Sequence, residues 1–374
     1  MITSVTMKSV NHSNAVGPGR VSVQDLPWAG ISGALVAAED ALARLDERLR
    51  VSPVREGWIA RSHFRDVVAS AWVSGELVSL EDLVLHDAGM DARAPSAALT
   101  RAREILRVRR RIARGAGASA LTTEGLDVLR GRAAAQPSPG ANAVVSSAAG
   151  QDDSLALLLA EVDAAVDRSR KALEQVEPEQ SARRDPLVYD LDWNEEERLG
   201  QWRAALGETT ALPPVLAAAL AARAWEAIQP LQHQPWLGRL LVAVLLRERG
   251  KMRTHLPCLF VGLRAAGRAP KRPTTLLEAL LVGINALTAT ARDGLREHDR
   301  LVLARLQFQN RLKARRSTSR LPDLVDLVLA TPLISTGLVA RRLAISQRAA
   351  QDLIAELDLR EFTGRERYRA WGVV

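Results

Sequence analysis

The chain has 374 residues, enough for two or three domains, with an ordinary apolar content of 47%. Its 51 Lys/Arg stand against 43 Asp/Glu, and the net charge of +8 favours a polyanionic partner, nucleic acid first. A lone cysteine, Cys258, excludes an internal disulfide and a cysteine-based zinc cluster, and no apolar run approaches the ~18 residues of a membrane span.

Residues 1–24 read as a flexible tail broken at Gly17-Pro18-Gly19, without the apolar core of a signal peptide, so a cytoplasmic location is expected. An N-terminal helical domain then occupies 25–131. Leu35, Ala38, Leu42 and Leu45 share one face of a helix over Leu26 to Leu49. A second helix runs from Trp58 to Val73 and stops at Gly75. Ser79 caps a third, through Leu85, and Ser96 a fourth. That fourth helix carries Arg101, Arg103, Arg107, Arg109, Arg110, Arg111 and Arg114. It can be a phosphate-binding face, or a solvated face paired with neighbouring acids.

Residues 132–154 are rich in Ala, Ser, Pro and Gly and read as a linker. Beyond it, 155–310 reads as a helical core. Helices are expected over Leu155 to Val176, Trp193 to Leu206, Leu212 to Ile228, Leu237 to Arg249 and Leu276 to Leu295. Pro213 and Pro214 fall in a first turn, where proline is tolerated. Between the third and fourth of these lies a polar, proline-bounded loop, Gln229 to Pro235. None of the six histidines makes a metal-binding spacing, so no metal and no cofactor is expected, and His63 and His86 read as helix-surface residues. Trp58, Trp72, Trp225 and Trp236 read as core anchors rather than a stacking surface, and Cys258 as a small buried hydrophobe.

The final domain, 311–374, carries twelve Lys/Arg against seven Asp/Glu. Ser335 or Thr336 can cap one short helix and Ser346 a second, with Ile345 in the turn between them. Ala349, Ala350, Leu353, Ile354 and Leu357 form an apolar face, and small Ala340 and Ala350 let the two helices cross closely. Phe362, Tyr368, Ala370 and Trp371 flank a turn at Thr363-Gly364-Arg365, which predicts a β-hairpin. This order resembles the winged helix-turn-helix family. In such modules the start of the second helix reads base edges in the major groove. The resemblance implies that Ser346, Gln347, Arg348 and Gln351 lie at the groove, while Arg365 and Arg367, with Arg369, lie against phosphates. Asp352 and Glu356 oppose a DNA role, and a plain helical cap or a protein-docking module remains open.

The segment from Pro213 to Gly250 resembles the core of the Fic family, in which a helix ending in a phrase like FEAI leads into an H-P-F-x-[D/E]-G-N-G-R loop. VVASAWVSGELVSLEDLVLHD and TLLEALLVGINALTATARDGL resemble the Fic segments on either side, in colinear order. The resemblance implies a nucleotidyl transferase fold, yet the chemistry needs a base, a metal ligand and an anion nest. Gln229 stands at the base position, Leu231 replaces the aromatic, and His233 replaces the acid that would hold Mg²⁺. Only Pro230, Gly238 and Arg239 keep the pattern, while Pro235 and Trp236 break the nest. The Ser70–Gly75 stretch, likened to the Fic inhibitory motif, has Ser74 in place of its glutamate. The expected fold class is mainly α, a Fic-like helical bundle followed by a winged helix-turn-helix domain. Its expected activity is DNA binding without catalysis; an active transferase or an interaction scaffold are the alternatives. A homodimer or a protein partner on the helical body is also open. The phrase RSHFRDVVASAWVSGELVSLEDLVLHD further resembles a family of uncharacterised proteins on plasmids of nitrogen-fixing soil bacteria, described as a domain of unknown function followed by a helix-turn-helix DNA-binding domain.

Overall fold

One long helix organises the chain. In the computed structural model, which describes residues 23–91, 94–115, 120–131, 193–267, 275–312, 320–363 and 369–373, thirteen α-helices and one three-stranded sheet are found among the described residues. In chain order the helices are α1 (Trp28–Arg50), α2 (Arg55–Val73), α3 (Leu80–Asp87), α4 (Ala97–Arg114) and α5 (Thr123–Leu129). There follow α6 (Glu195–Glu208), α7 (Pro214–Ile228), α8 (Leu237–Glu248), α9 (Leu259–Ala266) and α10 (Leu276–Leu312). The last are α11 (Leu321–Ala330), α12 (Thr336–Leu343) and α13 (Gln347–Leu357), interleaved with strands β1 (Ile334–Ser335), β2 (Arg360–Glu361) and β3 (Ala370–Gly372). The architecture is mainly helical, as the sequence predicts. The linker at 132–154 and the helix expected over Leu155 to Val176 lie outside the described residues.

α10 is the spine. α1 lies along it, and α9 and α7 pack on it. Ile31, Leu35, Ala38, Leu42, Leu45 and Leu49 of α1 are all buried, one stripe at helical spacing. Gly294 of α10 lets α1 approach, because a Cβ there would stand 2.7 Å from Leu45. Helices on both sides of residues 132–154 therefore share one continuous apolar core. The serine caps form as read: the Ser79 hydroxyl accepts from the Asp82 amide at 2.9 Å and Ser96 from Leu99 at 3.2 Å.

The arginine-rich α4 is spent largely on structure. Arg109 is fully buried, 2.8 Å from the Asp66 carboxylate, and donates to the Leu256 and Pro257 carbonyls. Arg110 pairs with Asp87 at 2.8 Å, Arg101 pairs with Glu76, and Arg111 donates to the Val128 carbonyl. Asp66 in turn accepts from the Phe260 and Val261 amides, so α2, α4 and the first turn of α9 meet at one buried ion pair.

His63 and His86 are not surface residues: both are buried. The buried face of each helix is wider than its aliphatic positions suggest, because α4 packs against both α2 and α3. His86 bonds Asp91 at 2.8 Å, and burial, then Arg109, pushes the His63 imidazole down to about 2. Trp58, Trp225 and Trp236 are core anchors, and burial pushes the Cys258 thiol up to about 12. No described helix is long and apolar enough to cross a membrane.

Candidate nucleic-acid interface

Two capped helices meet at a tight turn. The Ser335 hydroxyl accepts from Leu338 and the Ser346 hydroxyl from Ala349, each at 3.2 Å, taking up orphan amides in the first turns of α12 and α13. α12 ends at Ala344, whose left-handed backbone (φ 52°) turns the chain, and the Ile345 amide closes the turn on the Ala340 carbonyl at 3.0 Å. Val339, Ala350, Ile354 and Leu357 are buried between the helices, with Ala350 fully so at their crossing.

That packing leaves Ser346, Gln347, Arg348 and Gln351 exposed on the outer side of α13. Arg348 makes no ion pair among the described residues, so its guanidinium is free to engage a ligand. Arg342 is a further exposed cation at the end of α12 with no pairing among the described residues; it was not singled out in the sequence, where a basic last turn reads only as a helix C-terminal preference. Arg365 and Arg367 lie outside the described residues. Arg369 is described and pairs with Glu361 across the sheet, beside the Trp371 ring.

The sheet has three strands rather than the two of a hairpin. β3 runs antiparallel to both β2 and β1, with Glu361 and Ile334 both opposite Trp371. β1 is two residues long and leads directly into α12, so the strand that was not legible in the sequence fixes where the first helix begins.

The domain is bolted to the body at its helix ends. Arg61 of α2 is 3% exposed and donates to the Val328 and Thr331 carbonyls at the end of α11, at 3.1 and 2.8 Å. Arg311, near the end of α10, donates to the Leu357 carbonyl at 2.8 Å, capping α13 itself. Cations here take up orphan carbonyls at the negative end of each helix. Arg300 bridges Glu297 to the Val373 carbonyl, and Arg341 of α12 donates to the Ala88 carbonyl beyond α3. Burial alone would raise the Glu297 carboxyl, but the Arg300 hydrogen bond and the charges of Arg65 and Arg61 outweigh it and hold the group below its ordinary value.

The loop between α7 and α8, from Gln229 to Trp236, belongs to the helical body. Gln229 ends α7 in a left-handed conformation (φ 48°), and its side chain is exposed, as is that of His233. Pro230, Leu231 and Trp236 are buried. Trp225, which sequence reasoning placed only in the core, braces the loop: its indole donates to the Pro235 carbonyl at 3.2 Å and its ring fills the space where a Gly238 Cβ would stand, 2.3 Å away. Arg239 pairs with Glu226 at 2.8 Å. Among the described residues no group of three His, Cys, Asp or Glu side chains is placed to hold a metal ion.

Comparison with known proteins divides the chain along the same lines. Residues 187–313 match a family described as "Protein of unknown function (DUF1612)", which takes in α6 to α10 and the loop that resembles a Fic core; the description assigns no activity. Residues 321–374 match "HTH DNA binding domain", which takes in α11 to β3. The chain is 44% identical over 355 residues to "Uncharacterized protein y4cF" of Sinorhizobium fredii, covering 88% of this chain and 93% of that one. Two proteins so alike over nearly their whole lengths share one fold, and this chain belongs to the family of that rhizobial protein, a helical body followed by a C-terminal helix-turn-helix DNA-binding domain.

Proposed function

We propose that this protein is a cytoplasmic DNA-binding regulator of transcription whose body descends from a Fic-like transferase and no longer carries out transfer. The observation that carries the reading is the exposed triad Gln347, Arg348 and Gln351 on the first turns of the second helix of a matched DNA-binding domain. Gln and Arg make paired hydrogen bonds to adenine and guanine edges in the major groove. Arg342 adds a free cation on the same module, suited to phosphate.

The experiment is a binding titration of the full chain on duplexes selected from genomic fragments and on random duplexes, at several salt concentrations. Arg348→Ala and Gln351→Ala are each expected to cost about 1–3 kcal/mol on a selected site and to relax sequence choice. Arg342→Ala is expected to weaken binding to all duplexes alike and to make the salt slope shallower by about one unit. Absence of binding to every duplex at low salt would leave the module as a protein-docking element.

The loss of transferase chemistry rests on Gln229, which cannot take a proton from an attacking hydroxyl at neutral pH, and on Trp236 and Pro235, which leave no open run of amides for a phosphate. Labelled ATP with Mg²⁺ and lysate is expected to give no labelled protein above background. Labelling that disappears in Arg239→Ala would restore an active transferase.

A further inference from the structure

A cleft opens on the body between α7, α8, α9 and α10, enclosing about 650 Å³ counting the solvent at its mouth. It exists because the facing positions are small. Ala218, Ala219 and Ala222 of α7 meet Gly283 of α10, where an added Cβ would touch the Ala219 Cβ at 3.3 Å. The helices approach closely there, and Val242, Leu263 and Leu287 complete an apolar interior. Val282, at the rim, is 39% exposed. Small-molecule sites are mostly apolar with a few placed polar groups, and the lining here has that composition.

The charged groups of the lining are Arg223 and Glu226 of α7 and Arg239 of α8. Arg223 lines the cleft half-buried and makes no ion pair or hydrogen bond among the described residues. Its stem lies along apolar surface, and its guanidinium keeps its N–H donors available to an anion. Arg239 also lines the cleft; its partner, Glu226, is 63% exposed, and an ion pair so open to water holds Arg239 only weakly. Two guanidiniums and one solvated carboxylate therefore line an apolar slot. A ligand with an apolar body and one carboxylate would complete the charge balance and fill the slot at once, with the planar fork of Arg223 suited to a carboxylate.

We propose that this cleft is a binding site for a small amphipathic carboxylate, its apolar part between α7 and α10 and its head group on Arg223 and Arg239. The site lies wholly in the body, so the proposal stands or falls independently of the DNA-binding reading.

The test is calorimetric titration of the full chain with three probes that share one tail and differ in head charge: octanoate, octanol and octylammonium. Octanoate is expected to bind at least about tenfold more tightly than octanol, with octylammonium the weakest. Arg223→Gln, which removes the charge and keeps a helix-forming side chain, is expected to bring octanoate down to the level of octanol while leaving octanol unchanged. Ala222→Phe, which fills the slot, is expected to abolish binding of both. Absence of octanoate binding, equal affinity for octanoate and octanol in the unaltered protein, or octanoate affinity unchanged by Arg223→Gln would each overturn the proposal. If Ala222→Phe fails to fold, the probe series and Arg223→Gln still decide it.

Discussion

Lowering the pH from 7 to 5 is expected to destabilise the folded chain by on the order of 4 kcal/mol through two buried histidines alone. Burial, followed by the charge of Arg109, pushes His63 down to about 2. Burial pushes His255 down to about 3 although Asp46 pulls the other way. His255 packs edge-on against Trp58 at 4.6 Å and meets the Thr254 hydroxyl, so it has no room to hydrate a charge. An unfolded histidine titrates near ~6.5. Above that value both states are neutral and the stability is fully present. Below it the unfolded chain takes up protons that the folded chain refuses until the pH approaches 3 and then 2. Each residue then lowers the stability by up to roughly 1.4 kcal/mol per pH unit. Domains of this kind have about 5–15 kcal/mol to lose, so the effect reaches a large share of the total. Urea unfolding midpoints at pH 7, 6 and 5 measure it, and His63→Gln is expected to remove about half the slope. An equally steep profile in that variant would assign the loss to other groups.

Arg109→Ala is expected to cost about 3–5 kcal/mol, the range for removing one member of a buried ion pair. Its guanidinium is 0% exposed and does three things at once. It neutralises Asp66 at 2.8 Å, satisfies the Leu256 carbonyl at 2.8 Å and the Pro257 carbonyl at 3.1 Å, and meets the Cys258 sulfur. Alanine would leave the Asp66 charge in the core with the Phe260 and Val261 amides and the more distant charge of Arg65 to hold it. Asp66→Asn in the same chain should recover part of the loss, because the uncompensated charge goes while the two amide bonds keep an acceptor. Denaturant titration of the two single variants and the double variant gives the coupling. Additive losses would show that Arg109 acts by packing and not through Asp66.

The contrast between Arg109 and Arg348 shows where sequence reasoning reaches and where it stops. Arg348 follows a serine cap by two positions and lies opposite an apolar stripe, so its exposure follows from local rules of capping and period. Arg109 stands in a run of arginines whose spacing distinguishes none of them. Which one enters the core depends on Asp66 of α2 and on the carbonyls that precede α9, all remote in the chain. β1 is a similar case: two residues make a strand only because Trp371 and Ala370 arrive opposite them. His63 is buried for the same kind of reason, since α4, far along the sequence, covers it. α10 outruns its expected end at Leu295 because Leu301, Ala304 and Phe308 find a buried face on neighbouring elements, which their own polar surroundings did not announce.

The sequence by itself determined the helical class, the serine-capped starts of α3, α4 and α13, the helix-turn-helix order and the side of α13 turned to solvent. These are set within a few residues by capping, hydrophobic period and turn chemistry. Only the tertiary structure decided which charges are spent inside, how Arg61, Arg300 and Arg311 fasten the DNA-binding module to α2 and α10, and that α7 and α10 leave a cleft with Arg223 in its lining. Those outcomes depend on groups brought together from distant parts of the chain, where burial makes an unmet charge or carbonyl costly and so selects partners that no local pattern names.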